Sequence, residues 1–503
     1  MTPLAYLVAH HDQILRELIE FAGIPSVSTD QRHREDMARA AEWVAAHLRE
    51  AGPLDVRTLP TPGHPVVYGE WLGAPNAPTL LVYGHYDVQP PDPLERWLSD
   101  PFAPEVRDGR LYGRGVSDNK GPMLIPLKVA QAFFATRGAL PLNVKFNFEG
   151  EEEIGSRNLE PFLAANGGLL RADSVLSADG AMWRSDEPSV TIASRGVAGL
   201  EFSLKGANRS LHSGRYGGSV ANALHAMAEI VASLHAPDGR VAVDGFYDDV
   251  ASLSEDERRA IAALPFDEAR FLAEVGAPAL FGEPGYSTLE RQWIRPTLEV
   301  NGMWGGYQGQ DSQTVTPNEA HAKLSCRLVP DQDPDRVRAL VARHLETHVP
   351  PGTTLSIGGE RHAALPYRIP SDHPGLRTAE RVLEEVYRKK PLRVRMGSTL
   401  PVSELFKRLL GIDTVFFSFS TADEDFHSPN EFFRVRRLHG DSRRGAGTGQ
   451  ATQSDQNSER PPSIDSTWPV THEALAETKN RTPFAMSSGR PRRRSAIPSI
   501  SRR

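Results

Sequence analysis

The segment LNVKFNFEGEEEIGS (142–156) passes without a break from an apolar strand, Val144 to Phe148, into a crowd of carboxylates: Glu149, Glu151, Glu152 and Glu153, framed by Gly150 and Gly155. Packed like charges repel unless cations neutralise them. A run of glutamates is ordinarily a solvated loop, but this one hangs directly on a strand. Its carboxylates therefore fall at the carboxyl edge of a sheet, where α/β proteins bind ligands. Upstream, PTLLVYGHYDV (78–88) reads as a strand, and its run Leu80–Leu81–Val82–Tyr83 is apolar on both faces, as a central strand covered by helices is. Downstream, ADSVLSAD (172–179) reads as another. Helix-like segments at Asp36–Ala51 and Pro122–Ala135 alternate with them, which predicts an α/β fold with a mostly parallel sheet.

A second region opens near Thr191. EFSLKG (201–206) and HAKLSCRLVP (321–330) read as one-sided strands, and Ala221–Leu234 and Pro334–Leu345 as helices, an α+β layer. A third region returns to α/β character with the apolar strand DTVFFSFST (413–421). At the N-terminus, Leu4, Leu7, Ile14, Leu15, Leu18 and Phe21 keep helical spacing and predict one amphipathic helix; no secretory pattern is present. From His439 onward the composition turns Gly/Ser/Gln/Arg-rich without periodicity, so 439–503 is expected to be a disordered, basic, low-complexity tail.

Composition excludes several classes. The 503 residues are 39% hydrophobic and 24% charged, enough apolar material for a core. No run approaches the ~18–20 apolar residues of a membrane helix. The single cysteine, Cys326, excludes a disulfide framework and a cysteine-based zinc site, and the N-terminal helix without a secretory pattern reads as that of a cytoplasmic protein. The net charge of −7 divides into +5 from His439 onward and −12 before it, so the body has no pull toward nucleic acid.

Five segments at predicted strand ends could carry chemistry. In GHYDVQP (84–90), His85 and Asp87 share a strand face, so Asp87 can bond one ring nitrogen while the other binds a metal. LYGRGVSDNKGPM (111–123) places Asp118 in a glycine-rich loop that lacks the GK[ST] ending of a phosphate loop. The glutamate run is the third. SADG (177–180) closes a strand with Asp179, and FHSPNE (426–431) carries His427 just after one. Singly, a turn or a structural side chain explains each as well. Together, two histidines and several carboxylates form the donor inventory for paired cations: with one bridging carboxylate, each ion takes one His, one terminal carboxylate and the shared group.

These five motifs, in this order, resemble the di-zinc aminoacylase/carnosinase family of metallopeptidases. WLSDPFAPEVRDGRLYGRG (97–115) is similar to its dipeptidase branch. The resemblance spans about residues 5–438. It implies a zinc-peptidase-like catalytic domain (1–191 and 396–438) with a mostly parallel mixed sheet. It implies also an inserted α+β lid and dimerisation domain (192–395). By the same resemblance His85, Asp118 and Asp179 hold one ion and Asp118, Glu153 and His427 the other, with Asp118 bridging. Asp87 orients His85, Glu152 is the general base, and the Asp118–Asn119 peptide is cis. His212, in SLHSGRYGG (210–218), would reach the oxyanion from a partner subunit. Arg327, Thr314 and Thr399 would bind substrate, Thr399 standing where relatives carry serine. The cofactors implied are two divalent ions, zinc first, with manganese or cobalt as alternatives. The partners implied are a dipeptide substrate and a second copy of the chain. The activity implied is hydrolysis of dipeptides, with N-acyl-amino-acid deacylation or desuccinylation as the alternative and a non-catalytic metal-binding protein behind both. After HSPNE the resemblance implies a closing amphipathic helix, which FFRVRRL (432–438) begins before HGDSRRGAGTG departs from it.

Overall fold

The computed structural model describes residues 1–358 and 363–439. The expected tail from His439 on therefore lies almost wholly outside the described residues.

The first sheet runs in the order Asp55–Leu59, Val66–Trp71, Asn143–Glu149, Thr79–His85, Ser174–Ser177, Thr414–Phe416. The last four strands in that order are mutually parallel, and only the second, Val66–Trp71, runs against them, antiparallel to both its neighbours. This is the expected mostly parallel mixed sheet. Leu80 to His85 and Val144 to Glu149 are all buried, which explains why neither strand shows a polar face. The helices Arg34–Ala51 and Gly121–Arg137 cover one side and share a core with Phe146, Phe148 and Val82. Register does the rest: His85 stands opposite Glu149, and Tyr83 opposite Ser177, so the carboxyl ends of three strands finish at one edge.

The second sheet is antiparallel: Thr297–Gly305, Glu319–Leu328, Gly196–Lys205 and Thr354–Gly358. Its central strands alternate buried and half-exposed positions, and the helices Ala223–Ser233 and Pro334–Thr347 pack on the buried side. The chain leaves the first sheet along Ser189–Ser194 and returns along Leu392–Met396, two strands that lie parallel and paired.

Three segments differ from expectation. The N-terminal helix is two helices, Pro3–Ala9 and His11–Ala22. The backbone leaves helical geometry at His10, whose ring bonds back to the Tyr6 carbonyl at 2.8 Å, while Asp12 sits favourably in the first turn of the second helix. The apolar stripe survives the break: Leu7, Ile14, Leu18 and Phe21 are buried. The 413–421 strand is two short ones, Thr414–Phe416 and Ser420–Thr421, in different sheets. FFRVRRL begins as a strand, Phe432–Arg434, paired with Arg110–Tyr112, and then turns tightly rather than opening an α-helix.

The wholly buried Phe146 joins the sheet to both helices. Phe146→Ala is expected to lower stability by about 3–5 kcal/mol in chemical denaturation, as large-to-small core changes do.

Candidate metal centre

His85 is the last residue of its strand and has no solvent exposure; Asp87, two positions on, has none either. The His85 Nδ1 atom faces Asp87, 3.2 Å from its carbonyl oxygen and 3.4 Å from its carboxylate. Asp87 is held in turn. Its carboxylate accepts the Ser28 hydroxyl at 2.7 Å and the backbone N–H groups of Glu152 at 3.3 Å and Glu153 at 3.1 Å. The strand-end pair thus fixes both an imidazole and the acidic turn beside it.

The four glutamates of that turn divide by what they touch. Glu149 accepts the hydroxyls of Tyr83 at 2.8 Å and Ser156 at 2.9 Å. Glu151 accepts backbone N–H groups of His64 and Asn158 and the Asn158 amide. Those two hold the loop. Glu152 and Glu153 begin a short 3-10 turn closed by Gly155 at φ +84°. Glu153 lies 3.2 Å from His427 and accepts the Gln89 amide at 2.9 Å. Glu152 lies within electrostatic reach of His85, Asp179, Glu153 and Asp118.

Asp118 is where the parts meet. Its loop is admitted by Gly115, at φ +78°, where an added Cβ would fall 2.1 Å from Val88. The Asp118–Asn119 peptide is cis, as the resemblance implied. One carboxylate oxygen lies 3.3 Å from His85 Nε2, the other 3.0 Å from His427 Nε2. Asp179 completes the first side, 3.9 Å from His85 Nε2, with its own carbonyl bonded by Ser418 and its carboxylate by the Gly180 N–H. Two groups of donors result, His85–Asp118–Asp179 and Asp118–Glu153–His427, each with its donor atoms within 4.8 Å of one another.

The residues fit divalent cations. Among the described residues, His85 Nε2 and Glu153 Oε1 are buried without a hydrogen-bond partner, a costly state unless something else coordinates them. Imidazole with carboxylate suits zinc and its borderline neighbours. Electrostatics agree. Loss of solvent, then the charge of neighbouring carboxylates, raises the pKa of Glu153 and Asp179, while at Glu152 loss of solvent raises it although His85 opposes. Burial would lower the pKa of His85, but Asp118 and Asp87 hold it well above the ordinary value. Asp118 and Glu153 push His427 up to about 10. Asp118 itself is lowered: burial opposes, and the two imidazoles prevail.

The other expected site residues form two smaller groups apart from these donors. Arg327, on the central strand Glu319–Leu328, donates to the Thr399 hydroxyl at 2.9 Å, joining positions 72 apart. Arg195 lies beside them, its side chain on the Gly397 carbonyl at 2.7 Å; burial and the charge of Arg327 lower its pKa to about 10. His212 lies on a two-stranded ribbon in which it pairs with Val315, Thr314 immediately precedes the second strand, and both are exposed. The His212 ring accepts only the Gly214 N–H, in its own loop, among the described residues.

Sequence reading overlooked Gln89, Ser28 and Arg195. Gln89 sits inside the quoted GHYDVQP motif, where an amide beside an acidic turn was the available signal. Ser28 and Arg195 gave none, since their partners lie far along the chain.

The profile of Peptidase family M20/M25/M40 matches residues 81–443. The chain is 29% identical over 444 residues to a Homo sapiens Beta-Ala-His dipeptidase, covering 85% of this chain and 87% of that protein. It is 29% identical over 437 residues to the Cys-Gly metallodipeptidase dug1 of Schizosaccharomyces pombe, covering 84% and 91%. Human carnosine dipeptidase 1 superposes with a TM-score of 0.73 at 28% identity, covering 88% and 96%. An M20 family metallo-carboxypeptidase from Sulfolobus solfataricus superposes with a TM-score of 0.74 at 33% identity, covering 85% and 96%.

A group that holds its proton more tightly folded than unfolded stabilises the fold at low pH and loses that contribution as pH climbs through its folded value. Glu149, raised from 4.5 to about 7 chiefly by burial, and His427, raised from 6.5 to about 10, both act in this direction. Chelator-treated protein is therefore expected to lose Tm steadily from about pH 5 to 8, with excess zinc flattening the curve. A Tm that rises over that window in chelator contradicts the crowding of charges described here.

Proposed function

The chain belongs to Peptidase family M20/M25/M40 and is a peptide-bond hydrolase, and from that premise we propose that it cleaves dipeptides with a pair of divalent cations, zinc first, shared across Asp118. The observation that carries this reading is the division of one carboxylate between two imidazoles, 3.3 Å and 3.0 Å away. His85 and Asp179 would hold one ion, Glu153 and His427 the other, and Asp87 would orient His85. When bound, such a pair lowers the pKa of water from 15.7 toward about 7 and polarises the scissile carbonyl.

The chain's own side chains do the rest. Glu152 takes a proton from the attacking water and passes it to the leaving amine. Loss of solvent raises its proton affinity, the direction in which a general base approaches neutrality. Arg327, with Thr399 against it, receives the terminal carboxylate of the substrate; a guanidinium fork matches that group in shape and charge. His212 and Thr314 serve the oxyanion and the substrate in the active site of a second copy. Their exposure supports that role, as does the open edge strand Thr297–Gly305, which presents Val300, Met303 and Trp304 to solvent. In this arrangement residues 192–395 form the lid and dimer contact, and 1–191 with 396–438 the catalytic domain. A cytoplasmic location fits the lone, buried Cys326. No helix among the described residues is long and apolar enough to cross a membrane.

Dipeptides are preferred to N-acyl amino acids because three of the four proteins named above are dipeptidases and because the 97–115 segment is bonded to the loop that carries His427. Asn430, three residues after His427, accepts the Leu98 N–H at 2.8 Å and donates to the Arg96 carbonyl at 2.9 Å.

Glu152→Ala is expected to retain both ions in metal analysis and to lose about 10²–10⁴ in kcat. Near-normal turnover removes Glu152 from the base role. Against a panel of dipeptides, N-acyl amino acids and longer peptides, zinc-loaded protein is expected to favour dipeptides; preference for acyl substrates supports deacylation instead.

A further inference from the structure

His427 is poorly supported for a metal ligand. Its side chain is about half exposed, its backbone stands at φ +59°, and among the described residues its ring contacts only Asp118 and Glu153. A ligating imidazole is normally steered by a partner on its other nitrogen, as Asp87 steers His85. The orientation of His427 must therefore come from its backbone, and the backbone is anchored four residues on.

That anchor is Glu431, wholly buried and unused by the chemistry above. One of its oxygens accepts the N–H groups of Ser117 at 2.9 Å and Asp118 at 3.0 Å. The other accepts the Gly115 N–H at 2.9 Å and the Arg114 guanidinium at 2.6 Å. Two donors on each oxygen fill the acceptor capacity of a carboxylate. Its carbonyl also accepts the Gly113 N–H at 3.1 Å, and Arg114 reaches on to the Pro90 carbonyl at 3.3 Å. Glu431 touches Asp118 only through the backbone, so both Asp118 carboxylate oxygens remain directed at the imidazoles. Glu431 thus ties the loop carrying Asp118 to the far side of the His427 loop, while Ser117, bonded to Ser420 and Glu424, ties it to the near side.

We propose that Glu431 is a positioning residue that sets the separation of His427 from Asp118, and with it the affinity for the second of the two cations. The inference rests on the two-cation reading. The effect is one-sided because the other ion has independent supports: His85 is fixed by strand register and Asp87, Asp179 by Ser418 and Gly180. His427 has only its loop.

The test is a calorimetric zinc titration of the full chain, with circular dichroism to confirm folding and His427→Ala to mark the binding step that belongs to the His427 side. Glu431→Gln turns one acceptor oxygen into a donor facing N–H groups; Glu431→Asp keeps the charge opposite Arg114 but shortens its reach. In either variant the His427-side step is expected to weaken about 10–100-fold, the usual cost of losing such a support, with the other step within about threefold of wild type. Turnover should return at saturating zinc with KM unchanged. Equal weakening of both steps, greater loss on the His85 side, no loss, or failure of both variants to fold overturns the proposal. If the wild-type chain takes up fewer than two ions, it is the two-cation reading that fails.

Discussion

One carboxylate shared between two imidazoles organises this molecule. Asp118 offers one oxygen to His85 and the other to His427, and the two histidines lie 342 positions apart in the sequence. Holding charged groups this close and this enclosed is expensive without a compensating cation. The fold meets part of the geometric demand with a parallel sheet whose strands finish at one edge, so that His85 at a strand end and Asp87, Glu152, Glu153 and Asp179, two to four places beyond one, converge there, while Asp118 and His427 come in on loops from outside that sheet.

Around the shared group the supporting bonds come mostly from backbone. Asp87 accepts two N–H groups of the acidic turn, and Glu431 accepts three from the Asp118 loop. Each of these carboxylates therefore positions a neighbouring ligand loop, not only a side chain. Charge-assisted bonds of this kind are among the stronger ones in a protein, and they put the precision of the site into rigid main chain. The residues proposed to meet substrate are organised differently: Arg327 and Thr399 meet across the seam between the second sheet and the returning strand, while His212 lies on an exposed ribbon and Thr314 just before its second strand.

Much of this was legible in the sequence because each ligand motif is short and sits against an apolar strand. His85, Asp118, Glu153, Asp179 and His427 could each be placed at a strand end from local pattern, and their roles came from resemblance. What local pattern could not do was sort Glu149 and Glu151 from Glu152 and Glu153. That division depends on Tyr83, Ser156, His64 and Asn158, which is tertiary information. Glu431 and Arg195 were silent for the same reason. The break at His10 was missed because the apolar stripe continues across it: periodicity records which face is buried and not whether the backbone is continuous.

The most direct test of the shared-carboxylate account is anomalous scattering at the zinc edge from crystals of the zinc-loaded protein. The account requires two peaks about 3.5–4 Å apart, one beside His85 and Asp179, the other beside Glu153 and His427, both in contact with Asp118. A single peak, or two peaks of which Asp118 touches only one, contradicts it.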